Sequence, residues 1–519
     1  MNRFPRLCSR PLLGSIAALL LGPTAPVFAQ TYTWISTSSN DWNQNGNWTP
    51  NGVPNSSSAL ATFGTSTVTS VSIEQPTQVD SIVFNAGASA YNIGVANNIT
   101  LTVSGLNGGF TNFQGSATGG NATLIANGGS SGGGGGAIYF TQQSTGGTAR
   151  VILNGNGFLD ISGLSAPVTS VTVGSIEGSG NVFLGAYNLT VGSNNLSTTF
   201  SGVIQDGGQS GGGGGSLTKI GTGILTLTGT NTYTGGTTIS GGLINFNSLA
   251  NFGSGLITLN GGGLQWAAGT STDISSQLGS IGSAGATFDT NGNNVTLASP
   301  LTGAGGLNKA GLGLLDLTGV NTYSGNTVVG AGSLWVDGSI ASPVVTVSPG
   351  ALLGGHGIIA GNVINNGVVS PGNSPGTLSV NGNYTQGSSG TLLIEVGGLA
   401  ANQHDLLKVG GSATLGGALQ LQPLNGFKFT APGQEITFLT AAGGVTGKFS
   451  TVQNLSSLDA MLVYLPGAVE LEATQAPPTS QSSIYNEIKG APGVTTNDGQ
   501  FFRANYDDSI VTGGFRVSF

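Results

Sequence analysis

The chain has 519 residues, of which 93 are glycine, and this share of about 18 % is more than double the roughly 7 % of ordinary globular proteins. Charged residues make up only 6 % and hydrophobic residues reach 38 %, which excludes a highly charged disordered chain, while the lack of a G-X-Y period excludes collagen. The formal net charge of −8 argues against nucleic acid or an anionic membrane as a partner.

Residues 1–29 have the pattern of a secretory signal peptide. Three arginines precede the apolar run 12–21, and residues 27–29 place a small side chain just before Gln30. The run is about half the roughly 20 residues that a membrane-spanning helix needs. The single cysteine, Cys8, lies in this leader, so the exported chain is predicted to use no disulfide and to depend on a continuous core or on repetition.

Residues 30–216 are predicted to form an N-terminal β-helical region. Short runs of alternating apolar and polar residues, such as 66–73, are separated by Gly, Asn, Ser and Thr, as strands are by turns. Trp34, Trp42 and Trp48 are expected to cover the first coil, because the end of a solenoid must be capped.

Residues 217–350 contain an internal repeat. Segment 217–242 aligns without gaps on segment 307–332, with about half of the positions identical. Each copy is predicted to form a strand, a tight turn and a second strand, with its leucines facing inward, and to stack on its neighbours. The positions that we predict to be structural in every copy are Lys219, Gly221, Leu225, Leu227, Asn231 and Tyr233, and in the second copy Lys309, Gly311, Leu315, Leu317, Asn321 and Tyr323.

These features predict an all-β protein folded as a right-handed parallel β-helix, a solenoid followed by a short C-terminal tail. Coils of roughly 20 to 25 residues would give on the order of 20 coils. Several β-sandwich domains are the alternative, although antiparallel sandwiches usually have a solvated face richer in Lys and Glu.

Segment 217–239, with its Asn231-Thr-Tyr233 motif, resembles the autotransporter-associated β-strand repeat of bacterial type V secreted passengers, and a second copy begins at Leu307. Segment 361–385 is similar to the C-terminal end of such passengers, so residues 351–472 are predicted to form a C-terminal passenger β-helix region. The resemblance implies a β-helical passenger that is displayed at the outer membrane or released from it, with repeats that assist export and folding.

Residues 473–519 are predicted to form a linker and a barrel-like terminal strand. Phe515, Val517 and Phe519 alternate with polar or small residues, which implies contact of this tail with the outer membrane; an ordinary edge strand is the alternative. Members of the resembled family end in a barrel of about 12 strands, which needs about 250 residues. A full barrel is therefore not expected in the 47 residues after Glu472.

Catalytic chemistry has weak support in the sequence. The G-x-S-x-G match around Ser374 is explained by composition, and His404 beside Asp405 is the one pair worth testing for a triad. Four acidic residues stand singly, but carboxylates distant in sequence can meet on adjacent coils. These four are Asp289, Asp316, Asp337 and Glu395. We predict no catalytic, cofactor-binding or metal-binding residue and no cofactor.

The sequence therefore predicts a surface-exposed or secreted passenger of the bacterial envelope with a structural or adhesive role and no enzymatic activity. Its expected partners are the secretion and outer-membrane assembly machinery and an unidentified cell-surface or extracellular ligand, and not nucleic acid. Two alternatives are a glycosidase or lyase that acts on polysaccharide, and a passenger remnant without its barrel that stays in the periplasm.

Overall fold

Short strands joined by turns make up nearly all of the computed structural model, which describes residues 30–84, 89, 92–95, 101–103, 110–129 and 134–474. The predicted signal peptide and the predicted terminal strand with Phe515, Val517 and Phe519 lie outside these residues. Glycine and β-branched residues interrupt each stretch before an α-helix can form. The four helices of the described residues are short 3-10 turns, Asn45–Asn47, Leu249–Asn251, Ser275–Gln277 and Leu455–Leu458.

The strands are numbered in chain order. The first nineteen are β1 (Gln30–Trp34), β2 (Trp48–Thr49), β3 (Ala59–Phe63), β4 (Ser70–Ile73), β5 (Thr77–Val79), β6 (Ser81–Phe84), β7 (Asn92–Val95), β8 (Leu101–Val103), β9 (Phe110–Phe113), β10 (Thr123–Ala126), β11 (Ala137–Phe140), β12 (Arg150–Leu153), β13 (Phe158–Asp160), β14 (Ser170–Val173), β15 (Ser175–Gly178), β16 (Asn181–Phe183), β17 (Asn188–Val191), β18 (Thr198–Phe200) and β19 (Val203–Gln205). The next twelve are β20 (Ser216–Lys219), β21 (Ile224–Leu227), β22 (Thr237–Ile239), β23 (Leu243–Phe246), β24 (Ile257–Leu259), β25 (Gly263–Trp266), β26 (Ala286–Asp289), β27 (Val295–Leu297), β28 (Leu307–Ala310), β29 (Leu314–Leu317), β30 (Val320–Asn321) and β31 (Thr327–Val329). The last eighteen are β32 (Ser333–Val336), β33 (Ser339–Ile340), β34 (Val344–Val347), β35 (Leu352–Gly355), β36 (Ile358–Ile359), β37 (Asn362–Asn365), β38 (Val368–Pro371), β39 (Thr377–Val380), β40 (Tyr384–Gln386), β41 (Thr391–Val396), β42 (Leu406–Val409), β43 (Ala413–Leu415), β44 (Ala418–Pro423), β45 (Glu435–Ala441), β46 (Val445–Gly447), β47 (Thr451–Gln453), β48 (Ala460–Leu465) and β49 (Ala468–Ala473).

The strands stack into three faces, which the chain visits in the same order in each coil. Face I is a nine-stranded sheet in the N-terminal half and an eight-stranded sheet, β27 to β47, in the C-terminal half. Face II consists of two-, five- and eight-stranded sheets, and face III is one ladder of 17 strands from β5 to β46. Named strands pair in parallel between coils except at the two ends. This architecture confirms the predicted all-β parallel β-helix.

Coil length varies more than the sequence suggests. On face III, 18 residues separate the paired Val329 and Val347, whereas 32 separate Ala413 and Val445. The longer coils reduce the number of coils below the predicted 20. At about 4.8 Å for each strand spacing, the 17 strands of face III give a rod of roughly 75 to 80 Å.

The core is a single stack of side chains in the lumen. Alternate residues of each strand point inward, so that Phe200, Leu227, Phe246 and Trp266 lie above one another on successive strands, and each is fully buried. The outward residues between them are polar or small, as Thr226 is on β21. Stacked apolar side chains thus supply the cohesion that disulfides supply in many secreted domains.

An antiparallel segment extends one face at each end of the stack. At the N-terminal end β1 pairs with β2, and Trp34, Trp42, Trp48 and Phe63 pack as one buried aromatic cluster with ring centroids 4.6 to 5.9 Å apart. At the C-terminal end the hairpin of β48 and β49 pairs with β45 and continues that sheet in the antiparallel sense.

Candidate functional site

The first repeat contains a buried lysine at a corner between two coils. Lys219 ends β20 and is only 1 % exposed. Its ammonium group donates hydrogen bonds to the carbonyl oxygens of Ile220 (2.7 Å), Gly221 (3.2 Å) and Gly241 (3.2 Å). Because Gly241 belongs to the next coil, the lysine ties two successive coils together.

The second repeat builds the same arrangement. Lys309 is fully buried and donates to the carbonyl oxygens of Ala310 (2.9 Å), Gly311 (2.8 Å) and Ala331 (3.1 Å). Three acceptors for three ammonium hydrogens satisfy the donor capacity of each lysine, which a buried cation requires. We call each set a lysine corner.

A glycine closes each lysine corner. Gly242 and Gly332 have φ of +56° and +64°, and a Cβ at either position would lie 2.9 Å from the lysine Nζ and still closer to a backbone oxygen. A larger residue would therefore be strained and would displace the ammonium group. Both glycines fall at the end of the aligned segments, where the sequence shows them as identical but gives no sign of their contact with the lysine.

Burial lowers the pKa of each lysine from 10.5 to about 8. Desolvation is the main cause, and at Lys309 the nearby Asp289 opposes it. Both ammonium groups remain charged at neutral pH, where their bonds to carbonyl oxygens are of the stronger, charge-assisted kind.

The other predicted repeat residues lie in the lumen or bridge coils. Side chains at the four leucine positions, Leu225, Leu227, Leu315 and Leu317, are at most 3 % exposed. Asn231 accepts from the Ile204 backbone N–H (2.7 Å), and Asn321 accepts from that of Leu301 (2.9 Å). The buried hydroxyls of Tyr233 and Tyr323 bond to Thr237 and Thr327 at 2.5 and 2.7 Å.

The two repeats occupy different faces of the rod. Lys219 lies on face II, where β20 pairs with β22, whereas Lys309 lies on face III, where β28 pairs with β26 and β31. The offset of 90 residues therefore corresponds to four coils and one further face. Equivalent surfaces of the two copies point to different sides of the rod.

A second cluster joins polar residues from neighbouring coils of face I. Asp337 pairs with the His356 Nδ1 at 2.9 Å and accepts a hydrogen bond from the Asn373 amide at 2.7 Å. Asp316 lies on the adjacent coil, next to Trp335, with its Oδ1 buried and unpartnered among the described residues. Sequence reasoning left Asp316 and Asp337 as single acids, because their meeting depends on coil lengths.

The pKa of Asp316 rises from 3.8 to about 6, because burial penalises its charge and Asp337 repels it. A pKa that is raised on folding contributes stability that is complete below pH 3.8 and is lost as the pH rises through 6. Asp316→Asn is therefore expected to stabilise the chain at pH 7.5, by about 1 to 2 kcal/mol after allowance for solvent screening of this half-buried group, and to give no gain at pH 4. Thermal unfolding at both pH values measures the difference, and an equal effect at the two would contradict the assignment.

The pair proposed for a triad does not form one. His404 Nδ1 lies 3.2 Å from the Gly398 carbonyl oxygen, and the Asp405 carboxylate accepts from the backbone N–H groups of Gly376 and Glu395. Each side chain is used to hold a turn. Burial lowers the pKa of His404 and raises that of Asp405 to about 7.

Ser374, in the G-x-S-x-G match, has φ of +64° and is exposed. It forms no hydrogen bond to His356 in the described part of the chain.

Asp289 and Glu395 each accept a hydrogen bond from a glutamine on a neighbouring coil. Asp289 accepts from Gln265, and Glu395 accepts from Gln422. A solvent-facing group at the C-terminal hairpin brings carboxylate oxygens of Glu435, Glu470 and Glu472 within 4.8 Å of one another, which the sequence did not predict. Over the described ranges, no helix has the length and apolar character to cross a membrane.

Comparison with known proteins bears on the repeats directly. Residues 217–245 and 307–336, which contain both lysine corners, match the family of passenger-associated-transport repeats. The chain carries the repeats of autotransporter passengers.

Relatives of this passenger chain support that identification. It is 35 % identical over 172 residues to the adhesin BmaC autotransporter of Brucella suis biovar 1, a match that covers 31 % of this chain and 5 % of the relative. It is 34 % identical over 208 residues to an extracellular serine protease of Serratia marcescens (38 % of this chain, 20 % of the relative). It is 30 % identical over 167 residues to the autotransporter lipoprotein NalP of Neisseria meningitidis serogroup B (30 % and 15 %).

The chain thus spans a fifth or less of the curated relatives that it matches. The repeats and these matches relate the chain to the passenger regions of autotransporters. Protease activity belongs to the Serratia marcescens relative, of which this chain matches one fifth.

Proposed function

We propose that this passenger is a non-enzymatic structural and adhesive module of the bacterial envelope, displayed at the cell surface or released from it. The observation that carries the proposal is the pair of lysine corners, because in both transport repeats they tie one coil to the next and so support a continuous, rigid rod. A rigid rod with outward polar faces suits a protein that holds a binding surface away from the cell. The match to a protein named as an adhesin supports the same role.

The rod divides by function in this proposal. Residues 217–350 contain the transport repeats and assist export and folding, since each lysine corner fixes one coil on the next. Residues 30–216 present the surface that meets the ligand. Residues 351–472 complete the stack and close it with the antiparallel hairpin. The predicted leader and tail supply the route out of the cell.

Display is tested by protease shaving of intact cells that express the full chain, with periplasmic and outer-membrane fractions probed in parallel. We expect the rod to be removed from intact cells. The double variant Lys219→Met/Lys309→Met should reduce the surface fraction at least about threefold, because coils that open during export are exposed to envelope proteases.

Lys408→Met, which removes an exposed lysine, is the matched control and should leave the surface fraction unchanged. Protection of the unaltered chain inside the periplasm would overturn display and favour a stranded remnant.

A second candidate function rests on the cluster of face I. Asp316, whose pKa burial raises to about 6, lies on the coil next to Asp337, which is held by His356 and Asn373, and glycoside cleavage uses a pair of carboxyl groups of which one has a raised pKa. Trp335 supplies an aromatic surface beside them. Release of reducing sugar from neutral polysaccharides that is abolished in both Asp316→Asn and Asp337→Asn would establish this activity, and no release by the intact chain would reject it.

A further inference from the structure

Four aromatic side chains point outward from neighbouring coils of face I in the N-terminal half. Phe110, Tyr139, Phe158 and Phe183 lie on β9, β11, β13 and β16, at strand positions that a solvated surface normally fills with polar residues. Successive ring centroids are 6.0, 5.6 and 5.5 Å apart, with the rings close to perpendicular. The rings form one continuous strip outside the lumen, which we call the aromatic strip.

The glycine-rich loop 206–215 folds over one side of the aromatic strip. The backbone N–H of Gln209 donates to Asp160 Oδ2 (2.7 Å), and that of Ser210 donates to the Ser162 hydroxyl (3.0 Å). Gly208 has φ of +113°, and a Cβ there would lie 2.7 Å from Asp160 Oδ1, so glycine is required where the loop meets the strand. Loop and strip enclose a groove of about 450 Å³.

The walls of the groove carry polar groups with unused hydrogen-bonding capacity. The Tyr139 hydroxyl and the side-chain amides of Asn181 and Gln209 form no hydrogen bond within the described residues, and all three line the groove. Amides and hydroxyls both donate and accept, which matches the hydrogen-bonding character of sugar hydroxyls. Aromatic rings beside such groups suit the apolar faces of pyranose rings.

The charge around the groove favours a neutral ligand over an anionic one. Asp160 is the only ionisable acid that lines it, and it already accepts two backbone hydrogen bonds. Between Gln30 and Lys219 the only basic residue is Arg150, which pairs with Glu177 on face III. An anionic ligand would therefore meet a carboxylate and no cation.

The size of the groove makes a macromolecular docking surface a poorer fit. Its volume lies within the 300 to 1,000 Å³ that is typical of small-ligand sites, whereas a stable protein interface buries about 800 Å² on each partner. We propose that the groove binds a segment of a neutral polysaccharide, with pyranose rings against Tyr139 and Phe158 and hydroxyls bonded to Asn181 and Gln209. This inference rests on the proposed adhesive function and gives it a ligand class.

Isothermal titration of the purified full chain with cellohexaose, maltohexaose and xylohexaose tests the groove, with hexagalacturonate as the anionic comparator. We expect at least one neutral hexasaccharide to bind and hexagalacturonate not to bind. Phe158→Ala should weaken binding at least about tenfold, and Tyr139→Phe, which keeps the ring and removes only the hydroxyl, about threefold.

Leu312→Ala, an exposed aliphatic position on another part of the rod, should bind as the unaltered chain does. Circular dichroism and the unfolding temperature confirm that each variant is folded, and Tyr139→Phe still tests the groove if Phe158→Ala is unstable. Absence of neutral-sugar binding, binding of hexagalacturonate alone, or equal binding by folded Phe158→Ala would each overturn the inference.

The outcome is separable from that of the display experiment. If the displayed chain mediates adhesion that these sugars do not inhibit, the proposed adhesive function is supported and sugar binding by the groove is rejected. If the purified chain binds the sugar but the chain stays in the periplasm of cells, sugar binding by the groove is supported and surface display is rejected.

Discussion

Leu227→Asp is expected to unfold the coils around the first transport repeat while distant coils stay folded. Leu227 is fully buried between Phe200 and Phe246 on the neighbouring strands of face III. A carboxylate at this position would have no partner, and the cost of burying it, more than about 4 kcal/mol, exceeds what local packing can offset. Because each coil contacts only its neighbours, the damage should remain local.

Limited proteolysis with mapping of the cleavage sites measures this effect. New cuts should fall within about one coil of residue 227, and the unfolding temperature should drop. Leu312→Asp introduces the same charge at a leucine that is 73 % exposed, and it should leave the cleavage pattern unchanged. Unchanged protease resistance in Leu227→Asp would show that the lumen at this level accepts a charge, and would contradict the inward assignment of the leucines.

The second large effect is expected at the lysine corners. Lys219→Met keeps the length of the side chain but leaves three half-buried carbonyl oxygens, those of Ile220, Gly221 and Gly241, without this donor. An unsatisfied buried acceptor costs about 1 to 3 kcal/mol, so a loss of about 2 to 5 kcal/mol in local stability follows, allowing for partial access of water.

The equivalent change Lys309→Met should cost a similar amount, because the second corner has the same bonds. Hydrogen exchange of the amides in 217–245 and 307–336 measures each corner separately, since each variant should raise exchange in its own repeat. The two losses should add, because four coils separate the corners. A stability change no larger than that of Lys408→Met would show that the corners do not hold the coils together.

The sequence predicted the architecture because it is encoded locally. Alternation of apolar and polar residues, glycine at turns and the repeated segment each depend on neighbours within about 25 residues, and these features led to the β-helix. Lys219 and Lys309 were recognised because they are identical positions of the two aligned segments. Their role was not evident, since the acceptor at Gly241 or Ala331 lies on the next coil.

The contacts between side chains of different coils could not be predicted from the sequence, because they depend on the lengths of the turns. Whether Asp316 lies near Asp337, or Phe158 near Tyr139, is set by how many residues each coil uses. Paired positions on face III are 18 to 32 residues apart, and this variation shifts every later residue around the rod. The same variation places the second repeat on a different face from the first. If every coil is assumed to use the same number of residues, neither the cluster of face I nor the aromatic strip can be predicted.

The antiparallel segments at the two ends of the stack have a consequence for assembly. A solenoid with bare terminal strands offers unpaired N–H and C=O groups, onto which another rod can add end to end. Here β2 extends face I at one end beside the tryptophan cluster, and the hairpin of β48 and β49 extends face II at the other, both in the antiparallel sense. A second rod that added to either of these two edges would therefore meet an antiparallel strand and not the parallel register that the coils share.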